Sequence, residues 1–148
     1  MKTLIVYFSV SGKTKKAAER LAEITGGELY GICTKVVYPD SFVKKVVIAR
    51  REFTDRKYPK LVGDAEDFFS YDRILIGFPV WCGTCPMAVS AFMKKHDFTG
   101  KTVYPFCTSR GTGIAKAVAD IKADCEGEVR DGLRMNKADE EEIILWLS

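Results

Sequence analysis

The sequence predicts an α/β domain built on a doubly wound parallel sheet, and three observations carry that expectation. Short apolar runs alternate with stretches of helical spacing along all 148 residues, which is the pattern of strand–helix–strand units. The run "RILIGF" at 73–78 is apolar with little alternation, as a central parallel strand buried on both faces must be. The first apolar run passes through a hydroxyl-rich turn directly into a helical stretch, as parallel units do before crossing over.

Taken in order, residues 4–8 read as the first strand and 15–25 as the first helix, stopped at Gly26-Gly27. Residues 28–33 make a weaker second strand. Pro39-Asp40-Ser41 signals a helix start, and 42–51 follows with Phe42, Val43, Val46 and Val47 on one face. Residues 64–70 read as a short helix, 73–78 as the third strand, and 86–95 as a helix with Pro86 near its first turn. The fourth strand, 101–107, contains Pro105, which removes a ladder donor. A helix over 114–124 leads to a fifth strand over 128–135. Asn136 is placed to cap a last helix, with acids from Asp139 to Glu142 in its first turn and "IILWL" at its end. Five strands in this alternation imply the order 2-1-3-4-5 with helices on both faces. Winding then reverses between strands 1 and 3, and ligands bind off the carboxyl ends of those strands. The loops at that point are 9–14 and 79–84.

Composition sets the class. With 47% hydrophobic and 29% charged residues, the chain suits one soluble globular domain. No apolar run approaches the length of a membrane span. The five-residue apolar stretch near the start lacks a cleavage-site pattern and reads as a strand, so a cytoplasmic location is expected. Five cysteines at irregular spacing do not form a secreted disulfide framework. A net charge of +3 does not call for nucleic acid. The charge is uneven, however. Residues 35–60 carry eight bases against three acids, and 120–142 carry nine acids against four bases. Two solvated faces of opposite sign explain this, and a docking surface for an acidic partner is the sharper alternative.

The segment "SVSGKT" at 9–14 ends like a nucleoside-triphosphate loop, but the glycine required five positions before Gly12 is Tyr7. A strand entering a helix through Ser9, Val10, Ser11, Gly12, Lys13 and Thr14 aims backbone N–H groups and a positive dipole end at an anion. That suits a terminal phosphate monoester. Ser11 or Thr14 serving only as a helix cap is the plainer reading. Because the topology places this loop at the ligand crevice, phosphate binding is favoured.

With both loops in view, the chain resembles short-chain members of the flavodoxin family. The resemblance rests on "SVSGKT", on "FPVWCGTCPMAVSAF" at 78–92 and on "GKTVYPFCTSRGTG" at 100–113. It implies a flavodoxin-like five-stranded doubly wound sheet that binds FMN. The family holds the phosphate on the first segment, the flavin ring on the second, and closes the ring's pyrimidine edge with the third. Carried over, the cofactor residues are Ser9, Val10, Ser11, Gly12, Lys13 and Thr14. With them go Pro79, Val80, Trp81, Cys82, Gly83 and Thr84, then Thr108, Ser109, Arg110, Gly111, Thr112 and Gly113. Trp81 suits the ring face, since a flat amphipathic ring wants an aromatic wall with polar groups at its edge. Two departures matter. Cys82 stands where this branch often has a second tryptophan, and a pI near 8.5 contrasts with the acidic electron-shuttling members.

The resemblance therefore implies an FMN-binding redox protein that carries electrons between a reductase and an acceptor. The alternative is an FMN-dependent oxidoreductase acting on quinones or other small acceptors. Its partners would be redox proteins or small acceptors, with no nucleic acid or membrane, and the chain a monomer or homodimer. No side chain need act as acid or base, because the flavin carries the chemistry. "WCGTC" at 81–85 also imitates a thiol–disulfide oxidoreductase, with Cys82 and Cys85 as its pair. A phosphoacceptor receiver domain is excluded because Phe78-Pro79 and Ser9 occupy its aspartate positions. The lone His96 and the single Cys-x-x-Cys make a metal site a weak reading.

Overall fold

The computed structural model describes residues 1–39 and 41–148. Asp40, part of the expected helix-start signal, lies outside the described residues, as does the side chain of Phe42. In chain order the elements are β1 (Thr3–Tyr7), α1 (Lys13–Thr25), β2 (Glu28–Gly31), β3 (Cys33–Thr34), α2 (Phe42–Thr54) and β4 (Leu61–Val62). β5 (Arg73–Pro79), α3 (Met87–Lys95), β6 (Thr102–Thr108), α4 (Ala115–Asp124), β7 (Glu128–Val129), β8 (Leu133–Arg134) and α5 (Glu140–Leu147) follow.

The main sheet runs β2-β1-β5-β6-β7, all parallel, with β8 also pairing β6. This is the expected 2-1-3-4-5 order. Strand alternation sorts the core into two faces. Ile5 and Leu75 meet Ala18 and Leu21 of α1 and Ile143 of α5. Leu4, Val6, Ile74, Ile76 and Phe78 meet Ala88, Val89 and Phe92 of α3 and Ala117 and Ile121 of α4. The closest fit is at Gly77, where an added Cβ would lie 2.1 Å from the Phe106 ring. Only glycine lets that ring lie across β5.

The expected fifth strand over 128–135 is two short pieces, and Pro105 explains the break. The carbonyls of Lys101 and Val103 accept from Glu128 and Arg130, so these odd-numbered positions of the strand face β7 and β8. Pro105 faces the same side by alternation, with no N–H to give. The outer strand is interrupted between Val129 and Leu133, which leaves Pro105 opposite no ladder partner. The edge strand yields where the donor is missing.

Other expectations shift as well. Residues 28–33 divide into β2 and β3, and β3 pairs antiparallel with β4 in a separate two-stranded ribbon. The helix expected over 64–70 is only a 3₁₀ turn at Phe68–Ser70. Asn136 does not cap the last helix: Asp139 does, its Oδ1 accepting from the Glu142 N–H at 2.8 Å. α2 also turns differently from its apolar spacing. Val43 and Val47 are exposed at 69% and 52%, while Ala49 is buried. The inward face carries Ala49, buried, with Ile48 packed against the core.

Candidate functional site

β1 ends at Tyr7, and the chain turns through residues 8–12 before α1 begins. Gly12 is the helix N-cap at φ +93°, a left-handed conformation in which a Cβ would be strained. No side chain caps the helix, so the plainer reading of Ser11 or Thr14 is not what the fold shows. The Ser9 hydroxyl accepts from the Gly12 N–H at 3.1 Å and closes the loop on itself. The first-turn N–H groups of α1 have no carbonyl ahead of them within the helix. Ser11 and Lys13 are exposed beside them.

After β5 the chain makes a two-residue hairpin. Trp81 and Thr84 exchange both backbone bonds, 2.9 and 3.0 Å, and Cys82 and Gly83 both take positive φ, +53° and +79°. That is the type I′ turn, whose first position usually holds Asn, Asp or Gly, so Cys82 there is uncommon. Trp81 is held edge-on by Phe8 at 5.5 Å and lies against Tyr38 at 5.1 Å. Tyr38 in turn donates to both oxygens of Glu52, at 2.7 and 2.8 Å. Burial, then the bond to Glu52, pushes the Tyr38 phenol far above its ordinary range, so it stays protonated and keeps donating. Desolvation likewise raises the Glu52 carboxyl. The ring of Trp81 is thus fixed by packing on two sides.

The third loop follows β6. Thr108 shares a buried 2.7 Å hydroxyl bond with Thr14, tying it to the first turn of α1. The Ser109 N–H donates to Asn136 Oδ1 at 2.9 Å, and its hydroxyl donates to the Thr112 carbonyl at 2.6 Å. Arg134 donates to both the Ser109 hydroxyl and carbonyl, at 2.7 and 3.0 Å. The Ser109 donors, expected to face a ligand, are therefore engaged in shaping the loop.

These segments enclose a cavity of about 380 Å³ at the carboxyl ends of β1, β5 and β6. Ser11, Lys13, Pro79, Val80, Trp81, Cys82, Gly83, Thr108, Ser109, Arg110 and Thr112 line it, joined by Lys45, Val46 and Asn136. Nothing in the local sequence pattern places those last three here. Its charged lining residues are Lys13, Lys45 and Arg110, all cations. Ser9, Val10, Gly12, Thr14, Gly111 and Gly113 frame the loops without appearing in the lining.

Thr84 goes elsewhere. Its hydroxyl, almost fully buried, donates to Asp120 Oδ2 at 2.6 Å and lines a second cavity of about 390 Å³ on the far side of the hairpin. Cys85 lines that second cavity too, while Cys82 lines the first. Both thiols are free. Burial pushes the Cys85 thiol up to about 11, the reverse of a reactive Cys-x-x-Cys thiol. Among the described residues no cluster of histidine, cysteine or carboxylate groups suits a metal.

A doubly wound sheet with a ligand crevice at its switch point defines a class of cofactor-binding α/β proteins. Within it, the flavodoxin profile matches residues 2–148. A candidate flavoprotein from Bacteroides eggerthii is 33% identical with a TM-score of 0.89, over 99% of this chain and 95% of that one. A flavoprotein from Lactobacillus acidophilus, solved in complex with FMN, is 30% identical with a TM-score of 0.81, over 99% of both chains. Oxidised flavodoxin 1 from Bacillus cereus, at 19% identity and a TM-score of 0.55 over 99% of this chain and 92% of that one, shares the fold. No curated protein matches the chain. The chain belongs to the flavodoxin family.

Proposed function

We propose that the chain binds FMN in the cavity at the carboxyl ends of β1 and β5 and carries electrons between a reductase and an acceptor. The observation that carries this reading is the lining: among the described residues it holds three cations, no carboxylate, and one immobilised tryptophan face. The donor set fits the cofactor. Ser11, Lys13 and the first-turn amides of α1 suit the phosphate dianion, and Trp81, Pro79 and Val80 suit the ring. Bound there, the flavin supplies the one- or two-electron chemistry. The chain binds, orients and shields it, and the cations favour any negative charge that arrives with electrons.

Titration of the flavin-free chain with FMN and with riboflavin, followed by flavin fluorescence, tests the reading. FMN should bind the more tightly. A lost hydrogen bond to a charged group costs ~1.5–3 kcal/mol, so Ser11→Ala should weaken FMN about ten- to a hundred-fold and leave riboflavin unchanged. Equal affinity for both flavins, untouched by the substitution, rejects a phosphate role for the loop.

A second reading has its own support. Cys82 is exposed on the cavity wall where this branch often has a second tryptophan. More of the ring is then open to a small acceptor, as an FMN-dependent oxidoreductase reducing quinones requires. Steady-state turnover of a quinone with a nicotinamide donor, and its suppression by Cys82→Trp, separates the two. Among the described residues no helix is long and apolar enough to cross a membrane, which is compatible with a cytoplasmic setting.

A further inference from the structure

We propose that the outward face of α2, beside the cavity, is a docking surface for an acidic electron-transfer protein. The inference rests on the flavin reading above and concerns the partner's surface chemistry. α2 exposes Val43, Lys44, Val47, Arg50 and Arg51 to solvent. These fall on one broad stripe at helical spacing. The one acid within the helix, Glu52, is turned inward onto Tyr38. Among the described residues the stripe therefore has an apolar middle, a cationic rim and no carboxylate.

Three features tie this stripe to the cavity. Lys45 and Val46 of the same helix line it, so α2 forms part of the cavity wall with its inner side and carries the stripe on its solvent side. Lys13 and Arg110 continue the same sign around the mouth. Val37, 87% exposed, directly precedes Tyr38, the residue packed on Trp81. Exposed apolar side chains scattered singly are ordinary, but several together beside a binding cavity mark an interaction surface. Interfaces combine an apolar centre with a charged rim, whereas a small anion needs only the charge. A protein-sized, acidic occupant is the one that uses both. The opposite sign is gathered elsewhere, in Glu140, Glu141 and Glu142 at the exposed start of α5, so the field orients an incoming acidic molecule toward the cavity.

The probe is an acidic blue-copper protein, and basic cytochrome c is the counter-probe. The first measurement needs no electron transfer: the ¹⁵N-labelled chain is titrated with the copper protein carrying zinc in place of copper. Amide shifts should concentrate on 43–51 and weaken at least about fivefold in affinity between roughly 20 and 200 mM salt. The second uses the flavin-reduced chain in stopped flow. Two Cu(II) centres become Cu(I) for each reduced flavin oxidised, and the flavin's protons pass to water. That rate should fall with salt, and cytochrome c should show no such fall. The double variant Lys44→Glu with Arg51→Glu should lower the copper-protein rate about tenfold at low salt. It should leave FMN affinity and the rate with uncharged benzoquinone unchanged. Val43→Ser with Val47→Ser should weaken binding without removing its salt dependence. Shifts mapping away from α2, or a salt-suppressed reaction with cytochrome c that the charge reversal leaves intact, overturns the proposal. Failure to take up FMN with α2 shifts intact overturns only the reading beneath it.

Discussion

Two cavities of nearly equal volume, about 380 and 390 Å³, share the hairpin at 81–84 as a wall, and they differ in charge. The first presents Lys13, Lys45 and Arg110 and, among the described residues, no acid. The second balances Arg56 and Lys116 against Asp120 and Asp124. Size therefore does not choose the functional site. What distinguishes the first is its place at the switch point, where three strand ends converge, and a field of one sign. The hairpin itself is asymmetric: Trp81, Cys82 and Gly83 face the first cavity, Thr84 and Cys85 the second. One short turn thus serves one cavity with an aromatic wall and is anchored in the other by the Thr84–Asp120 bond.

The sharpest way to break this contrast is to invert the charge of each cavity in turn. Reversing Lys13 and Lys45 together places two acids beside the phosphate. The expected loss is on the order of 3 kcal/mol, about a hundredfold in the Kd for FMN. Reversing Lys116 with the same substitution should alter that Kd less than about threefold. Fluorescence titrations of both variants decide it, with riboflavin as the control for a misfolded ring site. If Lys116→Glu proves as damaging as the pair, the distinction between the cavities fails.

The same asymmetry shows what a sequence discloses. The strand order and the 9–14 and 79–84 loops were legible because apolar runs alternating with helical spacing imply the winding, and the winding puts both loops at its reversal. Asn136 was not. It looks like a helix cap, yet its amide reaches back 27 positions to hold Ser109. Lys45 and Val46 were missed because apolar spacing fixes a helical stripe without saying which side packs inward. Ile48 and Ala49 pack inward, and Val43 and Val47 face out. Tyr38 carried no motif and matters only because Trp81 folds onto it. The two-residue β3 and β4 are too short to pattern at all. Pro105 was the exception, an anomaly in the sequence that the fold answers with the split in the outer strand.

The paired thiols give a second, finer probe, because the hairpin puts one in each cavity. Cys82 is exposed, and Cys85 is buried with its thiol raised to about 11 by desolvation. Two units above an ordinary thiol cut the thiolate fraction about a hundredfold. Peptide mapping after brief alkylation at pH 8 should find Cys82 modified, with Cys85 at least that much slower. Saturating FMN should protect Cys82 while leaving exposed Cys33 reactive. The thiol count should be the same before and after flavin reduction, and two new thiols on reduction would restore the disulfide reading. The sign for stability follows. The folded chain keeps the Cys85 proton when the unfolded chain has lost it. Stability is therefore full below about pH 9 and falls as pH rises toward 11. Cys107, also pushed up to about 11 by burial, adds to the same fall. Urea titrations of Cys85→Ala against the unaltered chain should show a shallower alkaline decline.

The smallest expected effect tests whether the first cavity's field reaches the electrons as well as the phosphate. Arg110 lies in the third loop, after β6, and lines the cavity together with Lys13 and Lys45. Negative charge arriving on the ring is favoured by a cation several Å away, by ~1 kcal/mol at an intermediate effective dielectric. Arg110→Glu should therefore make the bound flavin harder to reduce, with the larger share of the change in the step that leaves it anionic. Because both the free and bound flavin enter the cycle, the same substitution should weaken reduced FMN about fivefold more than oxidised FMN. Spectroelectrochemical titration measures the first quantity and anaerobic fluorescence titration the second. Salt should shrink the difference, since Arg110 is exposed and its field is screened. A potential that matches the unaltered chain at low salt would confine the cavity's cations to holding the phosphate.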